Sequence, residues 1–347
     1  MKKIFSIFLL AKLSFALSQV PVYYSSIDFT QTGMALKSQL TTLITNTHTS
    51  PISYSDVWDV LVTSDLDPTN SADVLLAYGY DDSDGSVIND RTRDKTNNGG
   101  STGQWNREHT FANSQGNPDL GTVGPGSDAH NLRASDVQMN GNRGNLLFAA
   151  GSGDAGPVSS NWYPGDEWIG DCARIVMYMY LRYGLQCRPI YCASGSTNSI
   201  DANMVDILLT WNANDPVSQL EMNRNNIIQT WQGNRNPFID NPSIATHIWG
   251  GPTANDPWGG LGLEQVSENY FNVYPVPSFD NQIYVRHSSI SEIQSVTLYD
   301  EKGSLMEDFS SDKISEDVFQ INVITDGVWI LKIQTESEII TKKVIIL

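Results

Sequence analysis

The chain is poor in cysteine and histidine, with only 3 and 5 in 347 residues. No Cys-x-x-Cys pair occurs, and too few histidines are grouped to serve a zinc hydrolase, so structural and catalytic zinc are both excluded as first readings. The cysteines are Cys172, Cys187 and Cys192. An odd count leaves one thiol over whichever pair forms. Cys187 and Cys192 flank a short loop and are the pair an exported protein could oxidise. Cys172 falls in a helical apolar pattern and reads as a buried thiol. Three reduced, inert thiols are the competing reading. After the N-terminus no apolar run is long enough to cross a bilayer, so the mature protein is expected to be soluble, with no stable membrane insertion.

Positive charge is also scarce. The formal net charge is −18, which as a whole repels a polyanion. The acidity is not confined to one end: residues 266–347 hold 13 acidic against 6 basic residues, and residues 19–265 hold 26 against 12. Simple electrostatic capture of nucleic acid is therefore disfavoured. Yet ten of those 12 basic residues are arginine, the better bidentate phosphate ligand. Six of the 12 fall between Arg91 and Arg143. A local cationic groove remains open, with marked dependence on divalent cation and salt.

The N-terminus reads as an export signal. Met1-Lys2-Lys3 is basic, Ile4 to Leu17 is mostly apolar, and Ala16-Leu17-Ser18 supplies small residues at the cleavage positions. A signal peptide over 1–18 follows, too short to span a membrane. Residues 19–250 read as one domain. Apolar spacings of three and four mark helices over 35–45, 171–183 (closed by Gly184), 203–212 and 216–231, the last started by Asp215-Pro216. A Gly- and Pro-rich linker is expected over 251–272. Residues 273–347 alternate with period two in short β-branched runs, which reads as a small C-terminal antiparallel β-sandwich.

The chemistry concentrates between Trp105 and Phe148. Three clusters follow in order: Arg107-Glu108-His109, then Asp128-Ala129-His130-Asn131-Leu132-Arg133, then Asn140-Gly141-Asn142-Arg143-Gly144-Asn145. Phosphodiester hydrolysis needs a base near neutral pH, which histidine provides. It also needs charge neutralisation on phosphate, which a hard divalent cation and arginine provide. Magnesium takes oxygen ligands and keeps waters, so one carboxylate and one amide oxygen can hold it. Singly, each cluster has a bland reading: a solvated charged turn, a hydrogen-bonded structural histidine, an Asn-Gly turn.

Together these clusters resemble the active-site motifs of the bacterial endonuclease I family, secreted or periplasmic non-specific nucleases. The resemblance continues through Tyr163 to Trp168, the helix ending at Leu181 to Gly184, Trp211 to Asn225, and Gln232 to Asp240. It implies an α+β fold with a ββα-metal (His-Me finger) core embedded in helices. It implies His109 as general base, Glu108 and Asn140 as ligands of Mg2+ (Mn2+ or Ca2+ being alternatives), and 5′-phosphate products. Asp128, His130 and Asn145 would orient the site, and Arg143 and Arg133 would contact phosphate. The substrate would be DNA and also RNA, acted on by a monomer. Two features depart from the pattern. Between His109 and Asp128 there is no basic residue, where related enzymes often carry a phosphate-clamping arginine, and no proline follows the Arg-Glu-His motif. In addition, Glu108 and His109 are neighbours on a strand and point to opposite faces unless the strand ends there.

The C-terminal segment resembles the sorting domain of the type IX secretion pathway. The matching pieces are Val273 to Ser278, Val296 to Gly303, Gly327 to Lys332 and the Lys342-Lys343-Val344 end. This implies secretion, with the secretion machinery as partner. An ordinary carbohydrate-binding sandwich is the competing reading. For the whole chain the competitors are a non-catalytic secreted nucleic-acid or glycan binder on a nuclease scaffold, and a phosphodiesterase acting on small substrates. Asp81, Asp82, Asp84, Asp90 and Asp94 form an acidic loop that does not fit an EF-hand and reads as solvated.

Overall fold

The computed structural model describes residues 20–259, 271–279, 281–287, 293–300, 303–310, 318–323, 325–335 and 339–346. The expected signal peptide lies outside the described residues. The chain divides into two compact units, Met1–Gly262 and Leu263–Leu347.

The first unit is mixed α and β. Helix α1 (Gly33–Thr47) buries Leu36, Leu40 and Ile44, one face at a spacing of four. Helix α2 (Val57–Ser64) precedes a three-stranded antiparallel sheet of β1 (Leu66–Asp67), β2 (Asn70–Leu75) and β3 (Thr92–Asp94). Strands β4 (Trp105–His109) and β5 (Leu132–Asp136) form an antiparallel pair, with Trp105 opposite Asp136 and His109 opposite Leu132. Helix α3 (Val137–Arg143) starts directly after β5. Its turn is set by Asp136, whose carboxylate accepts from the N–H groups of Gln138 and Met139 at 2.7 and 3.0 Å. Strands β6 (Gly156–Val158) and β7 (Asn161–Tyr163) make a short hairpin.

Helix α4 (Ile169–Tyr183) is buried along most of its length and forms the centre of the core, closed by Gly184. Around it lie α5 (Asp206–Asn214), α6 (Gln219–Gln232), α7 (Pro237–Asp240) and α8 (Ser243–Trp249). Two starts differ from the sequence reading. α5 begins at Asp206, not at 203. α6 begins at Gln219 because Ser218 and Glu221 form a capping box. Asp215 does not cap α6. It accepts instead from the Gly170 N–H at 2.8 Å and so fixes the start of α4.

Residues 251–259 were expected to open a linker, but they pack onto the first unit. The Ser243 N–H donates to the Asn255 carbonyl at 3.1 Å. Trp258 is buried, with its ring 5.1 Å from Tyr24 and 5.7 Å from Phe29. The rest of that expected linker, up to 270, lies outside the described residues. Of the two readings open for the cysteines, the structure has the reduced one: all three thiols are free and buried. Burial raises each above the ordinary thiol range, Cys192 to about 12, which withholds the thiolate that disulfide exchange requires.

The second unit is antiparallel β. Its strands are β8 (Phe271–Tyr274), β9 (Gln282–His287), β10 (Ile293–Tyr299), β11 (Leu305–Ser310), β12 (Val318–Asn322), β13 (Gly327–Thr335) and β14 (Ile339–Ile346). They form two sheets, in the orders β11-β10-β13-β14 and β12-β9-β8. Alternate residues of both sheets, such as Ile283 and Val285, Val296 and Leu298, and Leu331 and Ile333, share one apolar core.

Candidate active site

Strand β4 carries Arg107, Glu108 and His109 to its C-terminal end, where pairing with β5 changes character. The Thr110 N–H still donates to the Asn131 carbonyl at 3.0 Å. At Phe111 the partner becomes the Asn131 side chain, which bonds the Phe111 N–H at 2.8 Å and its carbonyl at 3.1 Å. The regular pleat therefore stops at His109. That stop lets neighbouring residues serve one cleft of about 430 Å³, lined by Arg107, Glu108, His109 and, from α3, Asn140.

Glu108 is buried at 2% exposure. Its Oε1 accepts from the Tyr78 hydroxyl at 2.9 Å and lies 3.3 Å from an Arg143 nitrogen. Burial pushes the carboxyl up to about 7, against the opposing pull of Arg143 and Tyr78. His109 has its Nε2 at 2.9 Å from the Gly126 carbonyl oxygen. A carbonyl only accepts, so Nε2 carries the hydrogen and Nδ1 carries the lone pair. Burial lowers the imidazole pKa, with Arg107 and Arg143 adding to the effect, so the ring is neutral near pH 7. Its face is stacked on Tyr54 at 5.6 Å and 11°. Position 126 must be glycine, since a Cβ there would lie 2.0 Å from the Gly121 carbonyl oxygen.

Asn140 donates from Nδ2 to Asn106 Oδ1 at 2.7 Å. This fixes the amide and leaves its Oδ1 without a hydrogen bond among the described residues. Asn145 lines the same cleft and donates to Ser114 Oγ at 3.3 Å. Among the described residues no cluster of three or more His, Cys, Asp or Glu is placed to hold a metal. The available donor set is one carboxylate and one amide oxygen. Those hard oxygen donors fit a hard divalent cation that retains waters, and a buried carboxyl raised to about 7 gains most from a nearby positive charge.

Of the residues that the motifs single out, the two arginines expected on phosphate sit elsewhere, while Asp128 and His130 lie behind the site. Arg143 is fully buried and donates to the carbonyls of His109, Thr110 and Gly144 at 3.0, 2.7 and 3.1 Å. It braces the chain behind the motif and does not line the cleft. Arg133 is buried between Asp65 and Asp171, at 3.1 and 2.7 Å. Those two carboxylates hold it away from any substrate, so its expected phosphate contact is withdrawn. Asp128 caps a short 3-10 turn (Ala129–Asn131) through the His130 N–H at 3.0 Å. It also accepts from Tyr178, Tyr183 and Gln232 at 2.7, 2.8 and 2.9 Å. His130 reaches the Asn234 carbonyl at 3.4 Å. Asp128 and His130 thus tie the turn before β5 to α4 and α6, at a remove from the reacting groups.

Tyr54, Tyr78, Asn106 and Gly126 were missed by sequence reasoning. Asn106 adjoins the motif and could have been found. Nothing in the local pattern marks Tyr78, thirty residues upstream of Glu108. The acidic loop shows ordinary turn chemistry: Asp82 accepts from the backbone of Arg91 and Thr92, and Asp94 from Thr96. A larger cavity of about 570 Å³, bordered by Tyr80, Met139, Asn142 and Trp162, contains none of the Arg-Glu-His residues.

The family model described as Endonuclease I matches residues 32–243. A second model, described as a secretion system C-terminal sorting domain, matches residues 272–347. The chain is 41% identical over 231 residues to a protein named extracellular ribonuclease from Bacillus amyloliquefaciens, covering 63% of this chain and 75% of that one. A protein of the same name from Bacillus subtilis (strain 168) shows the same identity and coverage.

Proposed function

Since the chain belongs to the endonuclease I family, we propose that it is a secreted, magnesium-dependent nuclease that hydrolyses phosphodiester bonds in RNA and DNA with little sequence preference. The observation that carries this reading is the convergence of Glu108, Asn140 and a neutral His109 with Nδ1 unprotonated on one cleft. RNA stands beside DNA as substrate because the similar Bacillus proteins are named ribonucleases.

The residues divide the work as follows. His109 Nδ1 accepts a proton from water as its oxygen attacks phosphorus, while the Gly126 carbonyl holds the ring's other nitrogen and Tyr54 its plane. The bond to the 3′-oxygen breaks, leaving a 5′-phosphate. Because water is the nucleophile, no 2′-hydroxyl is required and both nucleic acids qualify. Glu108 and Asn140 would hold the cation, which when bound supplies positive charge against the charge that builds on phosphate and leaving oxygen. Contacts of this kind read phosphate, which carries no base information. The ββα-metal description fits β4, β5 and α3, which bring these side chains together. The C-terminal unit acts as an address for type IX secretion and takes no part in the chemistry.

The test is nicking of plasmid DNA and digestion of RNA, each with magnesium and with chelator. Magnesium-dependent cleavage of both is expected, and His109→Ala should lose about 100-fold or more in rate. Absence of cleavage at every magnesium level would leave a non-catalytic binder. Turnover of a nitrophenyl phosphodiester in preference to plasmid would mark a small-substrate phosphodiesterase.

A further inference from the structure

A phosphodiester in this cleft meets a shortage of cations. No basic residue lies between His109 and Asp128, and both arginines expected on phosphate are committed inside the protein. Among the described residues Arg107 is the one arginine that lines the cleft. Seven of the other nine arginines in the first unit are ion-paired to a carboxylate. Arg107 has no such partner among the described residues. Its guanidinium carbon lies 3.7 Å from the Tyr54 ring centroid and 4.3 Å from that of Trp58. One nitrogen donates to the Tyr54 carbonyl, and Nε is buried without a hydrogen-bond partner.

From this arrangement we infer that Arg107, stacked on Tyr54 and Trp58, is the clamp that binds the non-bridging oxygens of the scissile phosphodiester. The inference rests on the nuclease reading and supplies the cation that reading lacks. Arg107 and His109 stand two apart on β4 and so share a face. Tyr54 stacks against both, which sets the cation beside the base. Aromatic packing covers the flat face of the guanidinium, and with Nε buried the edge left for bidentate contact with phosphate is the one between the two Nη nitrogens, one of which also donates to the Tyr54 carbonyl. A half-buried cation without a counter-ion is costly, and an incoming phosphodiester anion relieves that cost at the point of reaction. Burial lowers the Arg107 pKa, yet an arginine remains charged at any working pH.

The experiment uses the full chain as wild type, Arg107→Gln and Arg107→Lys. Rates are measured on a defined oligonucleotide at saturating magnesium. Binding of the same uncleaved oligonucleotide is measured against salt in a His109→Ala background. The Gln variant should lose about 100-fold in kcat/KM, as removal of a transition-state donor does. Its plot of log affinity against log salt should flatten by about one unit. The Lys variant, which keeps charge and stem but not the fork, should recover part of the rate and all of the salt slope. Lys also serves if Gln fails to fold, because a lysine rate equal to wild type would refute bidentate clamping. Wild-type rate and slope in the Gln variant overturn the inference outright. Absence of cleavage by the wild type sinks the nuclease reading instead, and the salt slope alone then judges Arg107 as a phosphate ligand.

Discussion

Tyr78 holds a backbone φ of 72°, a left-handed conformation that a bulky side chain seldom adopts. Strain of this kind persists where surrounding contacts over-determine it, often beside reacting groups. Here the contacts are the Glu108 carboxylate, which accepts from the hydroxyl, and the edge of Trp162, with ring centroids 5.6 Å apart. The hydroxyl orients a carboxylate that would ligate the cation. Tyr78→Phe should therefore weaken cation use by about 10- to 100-fold, the usual cost of losing a partner that orients a ligand. A magnesium titration of activity reads this as a raised half-saturation point, with much of the rate restored at high magnesium. An unchanged half-saturation point would refute the role. The same scale shows what a sequence can hide. Arg133 and Arg143 lie in the right motifs, but Asp65, 68 residues from Arg133 in the chain, and three backbone carbonyls claim them. Motif spacing reports which residues are near a site, not which way a guanidinium turns. His109, Glu108 and Asn140 could be singled out in the sequence because the motif pattern groups them, and they line one cleft. Tyr78 was not, because its contact forms only after the chain folds back.

At the scale of elements, the short turn before β5 depends on a buried ionisable pair. His130 is enclosed, and burial lowers its pKa to about 4, with Asp128 opposing the shift and Arg224 adding to it. In the unfolded chain a histidine titrates near its ordinary value of 6.5. The folded pKa is thus depressed, so the unfolded state takes up a proton first as pH falls. Stability is full above about 6.5, falls between 6.5 and 4, and levels off below that window. A shift of this size corresponds to about 3 kcal/mol. Thermal unfolding midpoints should decline across that window in the wild type. His130→Gln should start lower at pH 7 and decline less, and equal slopes would show that other groups dominate. Helix periodicity was legible at this scale: α1 and α4 stand within two residues of the boundaries their apolar spacing implied. The start of α6 was not, because both Asp215-Pro216 and Ser218-x-x-Glu221 satisfy capping rules locally. The tertiary demand of Gly170 for a carboxylate decided between them.

On the scale of the whole chain, the two largest apolar cores share no residue. One surrounds α4 and the other lies between the two C-terminal sheets. The first unit contains every residue of the proposed chemistry within 54–145, and its last described segment, with Trp258 buried, closes before the division at Gly262. Each core supplies its own hydrophobic driving force, so each unit should fold cooperatively by itself. Calorimetry of the full chain should resolve two transitions. Ending the chain at Gly262 should abolish one of them and leave the midpoint of the other in place. It also removes 14 acidic and 6 basic side chains, a net charge of −8. If the C-terminal unit is an address alone, kcat at saturating substrate is unchanged in the shortened chain. Any gain in kcat/KM from relieved repulsion of the polyanion should be confined to low salt, where the screening length is about 30 Å at 0.01 M, and vanish near physiological salt, where it is about 8 Å. A fall in kcat on truncation would mean that the second unit supports the site, and the separation of chemistry from export would have to be abandoned.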